Sequence, residues 1–599
     1  VTGSLTLAIG ILSSASLAYQ ILLVRLFAIE QFHHFAAMAI SIAMLGFGIS
    51  GSALAFTRLT PVRADVWLLR SVAASAPLFA VSPLLARAIP LDAARLPWDP
   101  TQWVLVAGLY ATLAAPFAAG SLATLLAIQR MLPRPGTLYG TTFLGAAGGA
   151  VLAVLVLWVL PADHAVFFPG AGAAVALPLV TRRAGPLVAA GAGATVAATG
   201  LLGAGPEARV NPYKGLPQVA AYPNARRVAQ AHSPLGWVVG VAAPAFRYAP
   251  GLSLSYAGEF PDQIALFVDG ETAGAVMDAH GEASELFRWL PVALPYALQP
   301  RRVAVLGSEG GLSIQVALTH GARHVLAVEA HPGVVRLARR ALPTDGPSPF
   351  ADPRVRVVIA DTRSVLAGER GSFDLITVGP SGRFGASSGG LHALSEDFGH
   401  TVEAYALYLR RLAPGGTLSV TQWVTVPPRA AVRSILTVAA ALREAAPHAL
   451  ERGLVVTHGW STVTILARPD GFDDAAVRAL EGWADARGLD LDWYPAVDAA
   501  ALRPVNVLGS SDLTAAAAAA TASAEAAAQF ADLYPFAVAP ATDARPYPHH
   551  YLSARAALAM LGEQRGSWLP FAEWGPIAAV AAAVQAAALA VLCILLPAF

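Results

Sequence analysis

A bundle of membrane-crossing helices joined to an α/β unit on a mainly parallel sheet is the fold class this sequence predicts, and three observations predict it. Long apolar runs fill the first 205 residues and return at 575–596. Strands alternate with helices from residue 301 onwards, the pattern of a parallel sheet with crossover helices. VAVLGSEGG at 303–311, VLAVE ending at Glu329 and VVIAD ending at Asp361 each carry glycines or one carboxylate to the same edge of that sheet.

Composition agrees with a membrane protein carrying a soluble insert. The 599 residues are 55% hydrophobic and 13% charged, with a mean hydropathy of +0.54, against roughly 25% charged in soluble domains. A net charge of +1 gives no basic footprint, so nucleic acid is not an expected partner. The single cysteine, Cys593, permits neither an intrachain disulfide nor a cysteine-based zinc site, and no metal is expected.

Crossing a hydrocarbon core of ~30 Å takes about 20 apolar residues. Runs of that kind lie near 3–24, 35–57, 66–89, 102–128, 138–160 and 575–596, with shorter or Gly/Ala-rich ones at 164–180 and 185–203. This predicts a membrane domain of about seven helices over 1–205 and a C-terminal transmembrane helix over 570–599, and whether the chain is truncated at either end is left open. Residues 3–24 lack a basic leader and a small-residue cleavage site, so they are expected to stay as a helix rather than leave as a signal peptide. Gly46, Gly48, Gly51 and the cluster Gly145–Gly149 suit close helix packing in lipid. Arg25, Arg70 and Arg87 lie near span ends, where snorkelling to the interface is expected. His33 and His34 read as a polar boundary.

Residues 210–300 predict a small antiparallel β region and a linking helix, with strands in RRVAQAHS, GWVVGVAA, LSLSYAGE and QIALFVDGE, separated by turn residues such as Pro234, Pro250, Gly251 and Gly270. The α/β domain is expected over 301–550. Its strands are placed at 303–306, 325–329, 355–359, 373–378 and 417–424, and its helices at 312–319, 332–341, 401–412 and 429–445. A strand pair at 455–467, a helix at 473–488 and an alanine-rich helix at 514–529 follow.

The chemistry sits at strand ends. Gly307, Gly310 and Gly311 end one strand and open a helix, which lets backbone amides approach a ligand. Glu329 ends the next strand, placed to accept from both hydroxyls of a ribose. That spacing fits NAD as well, but GxGxxG is missing. Asp361 after the third strand favours S-adenosylmethionine (AdoMet), since an acid there can accept from an adenine amino group, and APGGTLSV at 413–420 supplies the usual turn into a late strand. A Rossmann-like domain of the class I AdoMet-methyltransferase type is therefore expected.

Over 228–550 these residues resemble the spermidine synthase-like, or polyamine aminopropyltransferase, branch of the AdoMet-dependent transferase folds. LFVDG at 266–270 is similar to that family's LDG turn, LGSEGG at 306–311 to its GGGDGG loop, AVEAHPGVVRLAR to VEIDPxV, and DPRVRVVIADTRSVL to DPRVxxxxxDGRxFL. The resemblance implies decarboxylated AdoMet as the nucleoside, with Glu309 at its amine, Glu329 at the ribose and Asp361 at the adenine; a helix-start acid is the plainer role for Glu309. Two departures bear on catalysis. The family's DSSDP-like loop, whose acids position and deprotonate the acceptor amine, is replaced by Gly379, Pro380, Ser381 and Gly382, and its Tyr-His-Glu segment reads Ala283, Ser284, Glu285. An attacking amine must lose a proton, so the catalytic residues are unassigned. Glu396 and Asp397 are expected to cap the helix near Thr401, with replacement acidity from the loop over the pocket as the alternative.

SLAYQILLVRLFAI in the first span and PATDARPYPHHY at 540–551 resemble signatures of multi-pass membrane proteins carrying such a domain. Asp543 and Arg545 are expected to pair. His549 and His550 are not expected to bind one metal, since neighbours on an extended segment point oppositely. The resemblance implies an integral protein of a bacterial cell membrane, with the bilayer, a nucleoside co-substrate (AdoMet or decarboxylated AdoMet) and an acceptor such as a polyamine as partners. The side facing the cytosol is open: Arg58, Arg63, Arg130, Arg134, Arg182 and Arg183 fall in alternate loops, and by the positive-inside rule seven spans would export the soluble region. Three functions remain: aminopropyl transfer, methyl or other alkyl transfer to a hydrophobic acceptor, and non-catalytic nucleoside sensing by a transport or signalling protein.

Overall fold

The computed structural model describes residues 2–31, 36–57, 59–92, 95, 99–131, 135–204, 207–278, 281–340, 348–380, 393–499, 502–506, 511–553, 555–556, 558 and 574–595. His33, His34, Arg58, Arg134, Ser381 and Gly382 lie outside them. Packing divides the chain into two units, Val1–Asn211 with His232–Trp237 and Ile577–Phe599, and Pro212–Ala231 with Val238–Pro576.

The first unit holds α1 (Thr2–Glu30), α2 (Ala36–Phe56), α3 (Pro61–Ala88), α4 (Pro100–Arg130), α5 (Pro135–Val159), α6 (Ala162–Ala165), α7 (Phe168–Val180) and α8 (Ala184–Thr199). Seven helices among the described residues, α6 and α7 counting as one, are long and apolar enough to cross a membrane. The starts of α3 and α4, earlier than hydropathy predicts, are set by caps: Thr60 and Asp99 cap helices that open on Pro61 and Pro100, a residue suited to the first helical turn. Small residues bring α1 and α5 together. A Cβ on Gly145 would stand 2.1 Å from the Gly10 carbonyl oxygen, and one on Gly149 would stand 2.1 Å from that of Ser14. Arg87 does not snorkel. Its Nε lies 3.0 Å from Oε1 of Glu30, with both side chains nearly enclosed, so the charge is matched inside the helix bundle.

The second unit begins with α9 (Gly215–Ala220) and a four-stranded antiparallel sheet in sequence order: β1 (Arg226–Ser233), β2 (Gly236–Ala242), β3 (Asp262–Val268) and β4 (Glu271–Asp278). The strand expected in LSLSYAGE does not form. Leu252, Ser253 and Tyr256 donate their amides into turns and to Trp289, and Ser253 Oγ accepts from the Ser255 amide, the local competition that serines offer to a strand ladder. The fourth strand is β4 instead. Its pairing with β3 slips between Leu266 and Phe267, opposite Gly274 and Thr272, and this bulge at a glycine breaks the alternation that would have revealed it.

The α/β body follows: β5 (Arg302–Leu306), α10 (Leu312–Thr319), β6 (His324–Glu329), α11 (Pro332–Arg340), β7 (Val355–Ile359), α12 (Thr362–Gly368), β8 (Phe373–Val378), α13 (Val402–Arg410), β9 (Leu412–Trp423), α14 (Arg429–Ala445), β10 (Leu454–His458), β11 (Thr462–Ala467), α15 (Asp474–Asp485) and β12 (Asp490–Trp493). The expected strands are present; α12 and β12 are additional. The alanine-rich segment is two helices, α16 (Asp512–Ala522) and α17 (Ala524–Leu533), because Ser523 is extended and caps the second through the Ala526 amide. Helix α18 (Trp574–Ala590) lies near the C-terminus.

One sheet joins these strands in the order β12-β10-β11-β9-β8-β5-β6-β7. β7, β6, β5, β8 and β9 run parallel, and β11, β10 and β12 are joined by antiparallel pairings. Tyr405, Tyr408 and Leu409 of α13 and Val432, Ile435 and Leu436 of α14 are buried in the core that also takes Ile376, Leu418 and Ile465 of the sheet. Chain order reverses between β5 and β8, and in open α/β sheets ligands bind in the crevice at the carboxyl ends of such a pair.

Candidate functional site

The loop after β5 and the residue after β8 flank that crevice. The glycine loop is held in an uncommon backbone: Gly307, Glu309, Gly310 and Gly311 have φ of 81°, 49°, 78° and 113°. Gly310 could be nothing else, since besides its φ a Cβ there would meet the Ala275 carbonyl oxygen at 2.6 Å. At Gly307 the same space is open, leaving the backbone free for a ligand to approach. Glu309 is not glycine, and a left-handed backbone costs such a residue about 1–2 kcal/mol. Strain of this kind clusters where position matters to function.

Glu309 is not the cap of α10. Gly311 holds that place, and the carboxylate takes hydroxyl donors instead, Tyr248 Oη to Oε2 at 3.2 Å and Ser313 Oγ to Oε1 at 3.3 Å. Burial pushes its carboxyl up to about 7, against those hydrogen bonds and with help from the charge of Glu329. Tyr248 escaped sequence reasoning because it sits in the irregular stretch between β2 and β3, where only an isolated tyrosine in a turn-rich segment marks it.

Glu329 ends β6. Oε2 accepts from Ser308 Oγ at 2.6 Å and its amide at 3.3 Å, and Oε1 from the His331 amide at 3.2 Å, so the acid is tied to the glycine loop across the strand ends. Asp361 follows β7 and caps α12, its Oδ1 accepting from the amide and hydroxyl of Ser364, each at 2.8 Å. The fold thus brings Gly307, Glu309, Gly310, Gly311 and Glu329 together. Asp361 stands at the neighbouring strand end, exposed and fixed by its cap.

Gly379 faces this group from β8. A Cβ on it would stand 2.0 Å from Glu309 Oε1. Of the Ala283, Ser284, Glu285 segment, Glu285 is exposed and pairs with Arg288 at 3.3 Å.

The residues beyond the loop form a second polar group. Asp543 does not pair with Arg545. It takes two hydrogen bonds of 2.7 Å from Arg363 of α12 and one of 2.8 Å from Thr401 Oγ1, while Thr542 and Arg545 share an isolated bridge that fits a tight turn. Asp397 caps the short turn at 398–400 and Thr401 caps α13, so the expected capping acid acts one turn early. Burial would raise the Asp397 carboxyl, but His400, whose Nδ1 lies 2.8 Å from Oδ2, holds it well below the ordinary range. His549 is pushed down to about 4 by burial, Asp397 opposing and His400 and Arg433 adding to the effect. Glu396 accepts from Tyr547 Oη at 3.2 Å. Among the described residues no group of three or more His, Cys, Asp or Glu side chains is placed to hold a metal. A cavity of about 1150 Å³ lies elsewhere, at the β12 edge beside His458, Asp490 and Asp492, which are bonded to one another and to Asn506.

The strand order defines the fold class: a Rossmann-like unit with a methyltransferase-type sheet. No protein-family model matches the chain. In sequence it is similar to polyamine aminopropyltransferase 1 of Streptomyces coelicolor, 31% identical over 172 residues, 28% of this chain and 29% of that one. It is likewise similar to the polyamine aminopropyltransferase of Mycobacterium tuberculosis, 31% identical over 163 residues, 26% and 29% of the two chains. The chain therefore spans under a third of the length of these curated relatives. Among solved structures, spermidine synthase from Thermotoga maritima aligns with a TM-score of 0.32 and 16% identity over 48% of this chain and 87% of that one. Human methyltransferase-like protein 13 in complex with SAH aligns with a TM-score of 0.23 and 17% identity over 33% and 88%.

Proposed function

We propose that the α/β unit binds a sulfonium nucleoside, AdoMet or its decarboxylated form, and transfers an alkyl group from it, in a protein anchored in a bilayer by its apolar helices. The observation that carries this reading is the fixing of Glu329 by Ser308 beside the open face of Gly307, with Asp361 at the next strand end. Two acids at successive strand tips beside exposed loop backbone suit a ribose and an adenine. The local likeness to polyamine aminopropyltransferases supports an aminopropyl group and a polyamine acceptor. Methyl transfer to a hydrophobic acceptor is the second reading, favoured by the absence of an acid at Gly379.

Calorimetric titration of the purified chain with AdoMet, decarboxylated AdoMet and methylthioadenosine tests the binding step. Glu329→Ala and Asp361→Ala should each weaken methylthioadenosine binding by about 1–3 kcal/mol. Absence of binding by all three ligands at millimolar concentration would refute the reading. Product masses after incubation with each donor separate aminopropyl from methyl transfer.

A further inference from the structure

We propose that Glu309 is the proton acceptor of the transfer, taking on Oε1 the proton that an amine acceptor loses as its nitrogen attacks the sulfonium-linked carbon. The inference rests on the nucleoside reading above. In the step, the N–C bond forms as the C–S bond breaks, and the electron pair of the broken bond stays on sulfur. The sulfonium becomes a neutral thioether, and the proton passes from nitrogen to Glu309 and then to water.

Gly379 gives the geometric argument. It follows β8 across the crevice from the glycine loop, at the position where an acid is expected by resemblance. Any side chain there would meet Glu309 Oε1, the ideal Cβ lying 2.0 Å from it. The carboxylate of Glu309 fills the volume in which a residue-379 side chain would begin. Glu309 thus reaches from the opposite wall the place where the resemblance puts an acid at residue 379.

The surroundings hold Glu309 for that position. Its left-handed backbone is accommodated by Gly274 of β4, where a Cβ would fall 2.3 Å from the Glu309 carbonyl carbon. Tyr248 anchors Oε2 and Ser313 touches Oε1, which uses about half of the roughly four acceptor sites of a carboxylate. The residue keeps some exposed surface, so a proton taken up can leave. The charged and titratable groups against it are Tyr248 and Glu329, and the balance of burial and these neighbours sets its carboxyl near 7. A base with that affinity lies some 3 units below an ammonium of about 10.4 and far below a hydroxyl near that of water, about 15.7. The amine is therefore the acceptor it serves, and the negative charges of Glu309 and Glu329 attract a cation.

The test uses the full chain in detergent, decarboxylated AdoMet as donor and putrescine as probe amine, with release of methylthioadenosine followed from pH 5.5 to 9. Turnover should rise along an acid limb near pH 7, and Glu309→Gln should lower kcat by about 10²–10⁴-fold with methylthioadenosine binding kept within about threefold, which also reports a folded site. Tyr248→Phe removes a hydrogen bond that favours the ionised carboxylate and should move the acid limb to higher pH. Glu309→Gly combined with Gly379→Asp carries the carboxylate to the other wall and should recover part of the rate. If Glu309→Gln keeps kcat within threefold, or the limb stays fixed in Tyr248→Phe, the assignment is wrong. Methylthioadenosine binding without putrescine-dependent turnover would overturn it and leave the nucleoside reading standing. Failure of methylthioadenosine to bind would overturn both.

Discussion

Acid should loosen the segment around His549 before it affects the rest of the α/β unit. A free histidine titrates near 6.5, whereas the folded environment pushes His549 down to about 4. Between those values the unfolded segment binds a proton that the folded one refuses, so stability is full above about pH 6.5 and is lost as pH falls towards 4. At pH 5 the linkage expression gives a loss of about 2 kcal/mol relative to pH 7.5, approaching about 3 kcal/mol near pH 4. His400 has its affinity raised, so it gains stability as pH falls through about 6.5 and offsets part of this loss down to about pH 6; below that it is protonated in both states, and Asp397 is held below the ordinary carboxylate range. Arg433 stays charged while its guanidinium holds the carbonyls of Tyr547 and Pro548 at 2.8 and 3.2 Å. Hydrogen exchange of peptides over 433–438 and 537–551, corrected for the intrinsic pH dependence of exchange, reads the opening free energy directly. Wild type should lose about 1 kcal/mol of protection between pH 6 and 5, where His400 no longer contributes, and His549→Asn should start lower and lose little over the same range. Equal losses in the two proteins would refute the reasoning.

Two further outcomes follow from the packing. Arg363→Ala and Asp543→Ala, singly and together, should show a coupling of about 1–2 kcal/mol, above the usual exposed ion pair because the contact is bidentate yet about a third exposed; singles that add within about 0.3 kcal/mol in the same exchange measurement would contradict it. Gly145→Leu places a branched side chain where a Cβ already lies 2.1 Å from the Gly10 carbonyl, so the first unit should lose thermal resistance in detergent while methylthioadenosine binding by the α/β unit is kept; an unchanged melting profile of the helices would count against the α1–α5 contact.

Strand positions were legible in the sequence wherever burial on both faces left a continuous apolar run, as in β5, β6 and β8. They were hidden where a local hydrogen bond or a bulge won. LSLSYAGE alternates like a strand, yet Ser253 turns it, while β4 lacks the alternation because the bulge leaves Ala273, beside Gly274, unpaired in the ladder. The glycine loop and the acids at 329 and 361 announce themselves by strand-end spacing. The partners of Glu309 do not, because Tyr248 and Gly379 reach it from loops and strands 61 and 70 positions away, separations that carry no periodic signal. The pairing of Asp543 was misread for the same reason: Arg545 is near in sequence, but Arg363 is near in space.

The two halves of the crevice are built by different means, and this bears on what the protein can have changed. Glu329 and Asp361 sit at strand tips, fixed by the parallel register and by short-range donors, Ser308, His331 and Ser364. Such acids can hold their places while neighbouring loops vary, because the register of the sheet sets them. The Glu309 carboxylate, by contrast, has its place set by space left at Gly274 and Gly379 and by a hydrogen bond from Tyr248. If Glu309 takes the proton as proposed above, what matters is where the carboxylate oxygen stands, 2.0 Å from an ideal Cβ on Gly379, rather than which residue occupies position 379.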